Sequence, residues 1–299
     1  MTNPDPAKPQ LANLQRPSGG FAMVALDQRE SMRAMFAEHQ DHPVSDAQLT
    51  EFKLATGRVL GPHASAILVD RQFALDRFLD DHILPPQTAV IAAADTLSPR
   101  GDEIVGHSTL DESLDLGHYR KRGVTAAKLL VLYRPDEDPA TRIGLVERFV
   151  ERCREAGLLS IIEPVVRRPL TATLPAEHAY ELVLTAAAEL GDRGADLYKA
   201  EVPLHGKGKP DEIRRRCAAM TKLITSPWVV LSSGVPQDLF PQAVELACRE
   251  GASGFLAGRA IWRSCIGKPD VERALRHQAV PRLQRLCEVV DATVASGAA

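Results

Sequence analysis

Two lysines lie inside stretches of the sequence that are otherwise apolar, where an amine could act as a nucleophile. Lys199 interrupts the run ADLYKAEV, and Lys128 interrupts the run VTAAKLLVLY. An amine buried near a second cation loses its proton more readily than an amine in water, and the neutral amine forms a Schiff base with a carbonyl group. We therefore predict Lys199 as a nucleophile, assisted by Lys128. Taken alone, Lys199 could equally be a structural lysine paired with Glu163 or Glu201.

Carboxylates close or interrupt several of these apolar runs. They are Asp27, Asp70, Asp95, Glu163 and Glu201. A carboxylate that is buried without a partner loses the favourable hydration that it has in water, and this loss destabilises the folded chain. Each of these residues therefore requires a partner or a function, and together with the two lysines they mark a candidate polar site.

Two glycine-containing segments carry the residue types that bind anions. Ser232, Ser233 and Gly234 close one apolar run, and Gly258 and Arg259 close the next. Glycines let backbone N–H groups approach an anion, serine hydroxyls add donors, and the arginine supplies a permanent positive charge. The pattern predicts a phosphate site. The alternative is a pair of tight turns with an arginine on the surface.

Further basic residues follow the apolar runs. The segment HGKGK, from His205 to Lys209, is either a lid over an anionic substrate or an ordinary solvated turn. A second anionic group could be held by one of four arginines that follow such runs: Arg29, Arg134, Arg167 and Arg168.

The elements that must position these side chains are eight apolar runs of strand length. They span residues 20–28, 64–70, 89–95, 124–133, 160–166, 195–202, 228–234 and 252–258. Near-continuous apolarity is typical of parallel strands buried on both faces, and the alternation with helices indicates βα units. The pattern predicts a single-domain α/β fold, a (β/α)8 TIM barrel with its active residues at the C-terminal strand ends. The alternative, a doubly wound open sheet, usually has a glycine-rich turn after its first strand, which this sequence lacks.

Helices are predicted where apolar residues recur at steps of three and four. They span residues 46–60, 142–156, 175–190, 211–224, 241–250 and 269–294, with Ser45 as the candidate N-cap of the first. Residues 1–18 are rich in proline, asparagine and glutamine, which predicts a loosely ordered lead-in with a short helix at 11–15. Residues 19–299 are predicted to form the barrel with its C-terminal helix.

The composition excludes several classes of protein. Of the 299 residues, 44% are hydrophobic and 25% are charged, as in soluble globular proteins. With 36 Lys and Arg against 39 Asp and Glu, the formal charge is -3, which provides no bulk attraction to nucleic acid or to an acidic membrane. No apolar run approaches the ~20 residues of a membrane-spanning helix, and the first residues lack the features of a signal peptide. We expect a cytoplasmic protein.

The cysteines and histidines indicate neither a disulfide framework nor a metal site. The five cysteines are an odd number, widely scattered and mostly within predicted helices, and the nine histidines form no HxH or HExxH pair. We expect free structural thiols, no metal and no cofactor.

Seven segments of the sequence carry a resemblance to a known family. They are SGGFAMVALDQRE, ASAILVD, KLLVLYRPDED, SIIEPVVR, GADLYKAEVPLHGKG, PWVVLSSGV and GASGFLAGRAIW. In this order and spacing they resemble the class I aldolases that include tagatose-1,6-bisphosphate aldolase, and most closely the sulfofructosephosphate aldolases of sulfoglycolysis. The resemblance covers nearly the whole chain and is less specific for the substrate than for the family.

The resemblance implies roles for the charged residues. Lys199 would form a Schiff base with the ketone of a ketose phosphate, and the iminium would accept electrons when the bond between carbons 3 and 4 breaks. Asp27 would orient the amine and assist proton movement at the carbon 4 hydroxyl, and Gln28 would bind substrate hydroxyls. Lys128 would keep Lys199 neutral and hydrogen-bond the substrate. Glu163 would donate and accept protons during carbinolamine formation and dehydration.

The resemblance also implies a substrate. The phosphate on carbon 1 would be held by Ser232, Ser233, Gly234, Gly258 and Arg259. The substrate would be 6-deoxy-6-sulfofructose 1-phosphate, cleaved reversibly and without metal to dihydroxyacetone phosphate and 3-sulfolactaldehyde by a homo-oligomer. A sulfonate is a monoanion, so its pocket needs fewer cations than a pocket for a second phosphate. Two alternatives stay open: a tagatose or fructose bisphosphate aldolase, and a non-catalytic metabolite-sensing barrel that acts through a partner protein.

Overall fold

A computed structural model describes residues 9–170 and 176–297, and eight of its strands form a closed parallel barrel. The barrel strands are β1 (Phe21–Leu26), β2 (Ala66–Val69), β3 (Ala89–Ala93), β6 (Val124–Tyr133), β7 (Leu159–Val166), β8 (Leu197–Glu201), β9 (Trp228–Leu231) and β10 (Gly254–Ala257). They are hydrogen-bonded in the order β1-β10-β9-β8-β7-β6-β3-β2, and β2 pairs with β1 to close the ring. The prediction of a single-domain TIM barrel is confirmed.

Both faces of the barrel strands are apolar, since one face fills the barrel interior and the other packs against the helices. In β1, Phe21, Met23 and Ala25 belong to the small cluster of side chains inside the barrel. The alternate residues of the same strand belong to the larger cluster between the barrel and its helices. This two-residue alternation places every second side chain of a strand in the barrel interior.

Helices cover the outside of the barrel between successive strands. They are α1 (Glu30–Ala37), α2 (Asp46–Leu60), α3 (Leu75–Asp80), α4 (Leu116–Lys121), α5 (Pro139–Ala156), α6 (Ala176–Leu190), α7 (Pro210–Leu223), α8 (Phe240–Arg249), α9 (Arg259–Trp262), α10 (Val271–Ala274) and α11 (Val280–Gly297). Ser45 caps α2 by accepting a hydrogen bond from the backbone N–H of Gln48, as predicted. The predicted helix 175–190 begins at Ala176, and residue 175 lies outside the described part of the chain.

The predicted C-terminal helix 269–294 is interrupted. A π-helical turn over Leu275–Ala279 separates α10 from α11. Pro281 lies in the first turn of α11, and a proline has no backbone N–H to donate to the preceding turn. The π turn accommodates this proline, which the apolar periodicity alone does not reveal.

An antiparallel hairpin that was not predicted from the sequence is inserted between the third and fourth barrel strands. It consists of β4 (Asp95–Arg100) and β5 (Glu103–Leu110), so the predicted strand 89–95 ends at Ala93 and Asp95 begins the hairpin. Arg134 forms an ion pair with Glu103, and the Ser108 hydroxyl donates to the carbonyl of Leu130 at 2.5 Å. These contacts hold the hairpin over the end of β6.

The predicted lead-in, residues 1–18, lies partly outside the described chain, which begins at residue 9. A short 3-10 helix spans Leu11–Leu14, where a short helix was predicted, and the Leu14 side chain is fully buried in the cluster inside the barrel. Arg16 forms an ion pair with Asp291 of α11 at 2.7 Å. This part of the lead-in therefore packs against the barrel.

All five cysteines are buried and carry free thiols, as predicted. No helix among residues 9–170 and 176–297 is both long enough and apolar enough to cross a membrane.

Candidate active site

Charged side chains form the layer above the apolar interior at the C-terminal end of the barrel. Each follows an interior apolar residue by two positions and therefore points to the same face of its strand. The pairs are Ala25 and Asp27, Ala126 and Lys128, Ile161 and Glu163, and Leu197 and Lys199. The alternation of the strands thus brings the four predicted catalytic residues together.

Lys128 is the centre of this charged layer. Its Nζ lies 2.5 Å from Asp27 Oδ2, 2.9 Å from Asp95 Oδ2 and 3.1 Å from Glu163 Oε2, and the side chain is fully buried. Burial alone would lower the pKa of Lys128, but the three carboxylates outweigh it and raise the pKa well above the usual value. Lys128 therefore remains a cation in the folded protein.

Glu163 bridges the two lysines. Its Oε1 lies 2.7 Å from Lys199 Nζ, while its Oε2 faces Lys128. Glu163 and Glu201 were the two partners considered for Lys199, and the ion pair in the structure is with Glu163. A carboxylate at hydrogen-bond distance from an amine is also placed to exchange a proton with it.

Asp27 stays ionised under the influence of both lysines. Burial would raise its pKa, but the charges of Lys128 and Lys199 outweigh this effect and hold the pKa well below the usual range. Asp27 is 8% exposed and lines the cavity above the charged layer.

Asp95 contributes to the site although no role was assigned to it from the sequence. Its Oδ2 accepts hydrogen bonds from Lys128 and from the backbone N–H of Leu130, and its Oδ1 forms an ion pair with Arg29 at 2.9 Å. Arg29 also donates to the Asp95 carbonyl oxygen at 2.8 Å. Arg29 was one of the candidates for binding a second anionic group of the substrate. Because its guanidinium is paired with Asp95, we assign that role to other residues.

A cavity of about 410 Å³, here called the reaction cavity, opens above the charged layer. Among its lining residues are Asp27, Gln28, Leu97, Asp102, Glu103, Glu163, Arg167, Ser233 and Arg259. The buried side-chain oxygen of Gln28 has no hydrogen-bond partner among the described residues. A buried acceptor without a partner is destabilising, so this oxygen is available to a hydroxyl group of a ligand.

The two predicted anion-binding segments meet at the edge of the reaction cavity. Arg259 donates a hydrogen bond from Nη2 to the Ser233 hydroxyl at 2.8 Å. Gly258 is required because a Cβ there would lie 2.5 Å from the carbonyl oxygen of Ala25. Gly234 has a φ of +76°, in the left-handed region that favours glycine.

A second cavity of about 550 Å³, here called the outer cavity, adjoins these segments. Ser232, Gly234, Arg259 and Arg263 are among its lining residues. Arg259 faces both cavities, and burial lowers the pKa of its guanidinium, which nevertheless stays charged at any physiological pH. Of the predicted phosphate-binding residues, Ser232, Gly234 and Arg259 therefore line an open space beside the reaction cavity.

Other polar residues singled out in the sequence form contacts outside the charged layer. Asp70 forms an ion pair with Lys53 of α2, and both side chains are fully buried between barrel and helix. The buried Arg134 pairs with Glu103 and donates to the Arg168 carbonyl. Of the four arginines proposed for a second anion, only Arg167 lines the reaction cavity.

The described residues contain no group of three or more histidine, cysteine, aspartate or glutamate side chains arranged to hold a metal ion. Three carboxylates do converge, but they converge on the ammonium group of Lys128.

Residues 21–264 match the family model described as "DeoC/LacD family aldolase". The chain belongs to the DeoC/LacD aldolase family. The matched region runs from the first residue of β1 to the turn after α9 and includes all ten predicted site residues.

Relatives in this family match almost the whole chain. Tagatose 1,6-diphosphate aldolase 2 of Streptococcus mutans is 24% identical over 95% of this chain and 94% of its own length. Tagatose 1,6-diphosphate aldolase of Listeria monocytogenes is 26% identical over 94% of this chain and 90% of its own.

Solved structures of aldolases share the fold. An archaeal fructose 1,6-bisphosphate aldolase superimposes with a TM-score of 0.64 at 16% identity, covering 94% of this chain and 98% of its own. A fructose-bisphosphate aldolase from Slackia heliotrinireducens gives a TM-score of 0.65 at 16% identity, covering 100% and 95%.

Proposed function

We propose that the protein is a class I aldolase that cleaves 6-deoxy-6-sulfofructose 1-phosphate reversibly to dihydroxyacetone phosphate and 3-sulfolactaldehyde. The observation that carries the chemistry is the position of Glu163, which bridges Lys199 and Lys128 at the floor of the reaction cavity. This arrangement joins a buried amine, a proton acceptor at 2.7 Å and a fixed cation, as imine formation requires.

Imine formation would begin at Lys199. Its amine passes a proton to Glu163, attacks the carbon 2 carbonyl and forms a carbinolamine. Glu163 then returns a proton to the carbinolamine hydroxyl, which leaves as water and gives the iminium. The iminium is itself the electron sink for the next step, so we propose that the reaction needs no metal.

Cleavage would follow at the bond between carbons 3 and 4. The carbon 4 hydroxyl passes its proton to the Asp27 carboxylate as the electrons of the bond between carbons 3 and 4 move into the iminium, which releases the aldehyde and leaves an enamine on Lys199. Asp27 is ionised and accepts the hydrogen bond from this hydroxyl, while Gln28 accepts one from a neighbouring hydroxyl. Return of this proton from Asp27 to carbon 3 of the enamine restores the iminium, and hydrolysis by water then releases dihydroxyacetone phosphate and regenerates the amine.

The phosphate on carbon 1 would bind beside Arg259. The Ser233 hydroxyl, Ser232, and the backbone around Gly234 and Gly258 surround this guanidinium at the junction of the two cavities. Neutral donors around one arginine suit a phosphate, because charge-assisted hydrogen bonds to anions are shorter and stronger than those between neutral groups.

The charges around Arg167 in the reaction cavity favour a monoanion on carbon 6. Arg167 lines the cavity there together with Asp102 and Glu103 of the hairpin. Glu103 is paired with Arg134, so the repulsion comes chiefly from Asp102: a phosphate dianion beside this carboxylate is repelled more strongly than a sulfonate monoanion is. This observation and the sequence resemblance support the sulfonated substrate.

A bisphosphate aldolase is the second candidate. It is favoured by the relatives that carry the name tagatose 1,6-diphosphate aldolase and match more than nine tenths of this chain. The two candidates share the imine chemistry. Fructose 1,6-bisphosphate differs from the sulfonated ketose at carbon 6, and tagatose 1,6-bisphosphate differs in addition in its configuration at carbon 4. We therefore test the chemistry and the substrate separately.

The chemistry is tested by borohydride reduction in the presence of dihydroxyacetone phosphate, followed by peptide mass spectrometry. We expect a covalent adduct on Lys199. A folded protein that binds the ligand without forming an adduct would contradict the class I proposal and would favour the metabolite-sensing barrel.

The substrate is tested by comparing kcat/KM for 6-deoxy-6-sulfofructose 1-phosphate, tagatose 1,6-bisphosphate and fructose 1,6-bisphosphate. We expect the sulfonated ketose to be cleaved best. Equal or better turnover of a bisphosphate would replace the sulfonated substrate and leave the imine mechanism intact.

A further inference from the structure

The turn after β8 has an unusual backbone. Within the 3-10 turn Pro203–Gly206, Leu204 has a φ of 56° and His205 a φ of 47°. Two consecutive non-glycine residues in the left-handed region are uncommon, because the Cβ of each is crowded against the backbone. Such strain persists only where the surrounding structure holds the residues in place, and it often occurs at functional sites.

The strained turn packs directly against the candidate phosphate-binding segment. A Cβ at Gly234 would lie 2.5 Å from Nδ1 and 2.9 Å from Cε1 of His205, so the imidazole covers the face that glycine leaves open. A Cβ at Gly206 would similarly lie 3.2 Å from Val235 Cγ1. The two segments therefore fit together at two consecutive positions.

A hydrogen bond strengthens this contact. The His205 ring is hydrogen-bonded to the backbone of Ser233, the residue whose hydroxyl accepts from Arg259. Burial lowers the pKa of the imidazole, and the hydrogen bond to Ser233 only partly opposes this. At neutral pH His205 is therefore uncharged, so it would act by its shape and hydrogen bond and not as a second phosphate-binding cation.

We propose that His205 is a positioning residue for phosphate binding. It holds Ser232, Ser233 and Gly234 in the conformation that faces the anion, and it joins them to β8, the strand that carries Lys199. The strained backbone conformation of Leu204 and His205 places the imidazole ring of His205 over Gly234. The assignment of phosphate to this segment rests on the proposed function.

This inference replaces the lid that the segment His205–Lys209 suggested. Gly206 is buried and His205 is half-buried, while Lys207 and Lys209 are exposed. The start of the segment is thus a fixed part of the anion site. A lid would act through the charges of the lysines, whereas a positioning residue acts through the imidazole, and this difference can be tested.

The test compares variants that separate the ring from the backbone strain. His205→Ala removes the ring but keeps a Cβ in the left-handed region. His205→Asn keeps a short hydrogen-bonding side chain, and asparagine tolerates this region better than most residues. Lys207→Ala is the matched control for the charge of the exposed loop.

Two measurements are made on each protein. The first is the concentration of dihydroxyacetone phosphate that gives half-maximal borohydride-trapped adduct, with unphosphorylated dihydroxyacetone as the comparison. The second is the affinity for inorganic phosphate by calorimetry, which does not depend on imine formation. If wild type forms no adduct but binds phosphate, the proposed chemistry fails while the role of His205 is still measured.

For His205→Ala we expect about tenfold weaker binding of dihydroxyacetone phosphate and of inorganic phosphate, with dihydroxyacetone unaffected. His205→Asn should recover most of the loss, and Lys207→Ala should bind phosphate like wild type. An equal loss for both ketones, or no loss of phosphate affinity, would overturn the proposal, as would an equal loss in Lys207→Ala. If His205→Ala does not fold, His205→Gly, which also lacks the ring, is measured in its place with the same expected loss.

Discussion

Lys128 and Lys53 are both fully buried, but they lie in different electrostatic environments. Lys128 faces three carboxylates, two of which, Asp27 and Glu163, line the reaction cavity, and the three raise its pKa well above the usual value. Lys53 lies between α2 and the barrel with Asp70 as its ion-pair partner. There burial outweighs the attraction of Asp70 and lowers the pKa of Lys53.

In the Lys53–Asp70 ion pair, burial also outweighs the attraction between the charges at the aspartate. Burial raises the pKa of Asp70 above its usual value despite the charge of Lys53. Both partners are therefore held in an environment that disfavours their charges, as is common for a buried ion pair. A perturbed pKa alone does not identify an active site: what distinguishes Lys128 is the cavity above it and the second lysine beside it.

The largest effect in this comparison is expected for Lys199→Ala. Without the amine no imine forms, so cleavage and borohydride trapping should both be abolished. Removing Lys199 leaves Glu163 paired with Lys128, so the far-ultraviolet circular dichroism and the melting temperature should stay close to wild type. Measured turnover by a correctly folded Lys199→Ala protein would rule out the Schiff-base mechanism.

Glu163→Gln is expected to have the next largest effect. Glutamine has the same size, but it cannot take a proton from Lys199 or return one to the carbinolamine. General acid–base catalysis contributes about 10² to 10⁴ in rate, and kcat should fall by this factor while KM changes little. Single-turnover kinetics with borohydride quenching should locate the loss in imine formation.

The matched control for Glu163→Gln is the same substitution at Glu201, on the neighbouring strand. Glu201 is also buried, but its Oε2 accepts a hydrogen bond from the backbone N–H of Val166 and no role in the chemistry is assigned to it. If both variants lost activity equally, the bridging position of Glu163 would not explain its effect.

The barrel could be predicted from the sequence because its strands are runs of apolar residues with very few charged residues among them. Lysine in a buried strand is rare enough that Lys128 and Lys199 stood out, and Asp27 and Glu163 were visible as carboxylates that close or interrupt apolar runs. That all four side chains lie on the interior face of the barrel follows only from the structure. The fold and the four charged residues could therefore be predicted from local pattern together with the family resemblance.

The remaining parts of the site depend on contacts between distant segments. Lys53 lies on an amphipathic helix, where a lysine gives no signal that its side chain is buried. The hairpin has short, half-exposed strands with Pro99 within β4, so it lacks the apolar runs that mark the barrel strands. Asp95 was visible as a carboxylate at a strand end, but its position beside Lys128 depends on how the third and fourth barrel strands pair.

A third prediction concerns the structural pair. Lys53→Met leaves Asp70 buried without its cation, and removal of one partner of a buried pair typically costs about 3 to 5 kcal/mol. We expect this loss in the free energy of unfolding in urea, with kcat of the folded protein unchanged. Asp70 also accepts a hydrogen bond from the backbone N–H of Phe73, which asparagine can preserve.

The double variant Lys53→Met with Asp70→Asn is the control for this loss. It removes both charges and keeps the acceptor for Phe73, so most of the stability should return. If Lys53→Met instead reduced kcat a hundredfold without destabilising the fold, the distinction between the two buried lysines would be wrong.

The smallest effect is expected for the stability of Glu201→Gln as a function of pH. Burial raises the pKa of Glu201 to about 7, against about 4.3 in an unfolded chain. The folded state therefore binds this proton more tightly, and the stability that Glu201 contributes is complete below about pH 4 and is lost as the pH rises through 7. Glutamine cannot ionise, so the unfolding free energy of wild type relative to Glu201→Gln should fall by at most about 4 kcal/mol between pH 4 and pH 8. Urea titrations at intervals across this range measure the difference, and a difference independent of pH would mean that Glu201 titrates as it does in water.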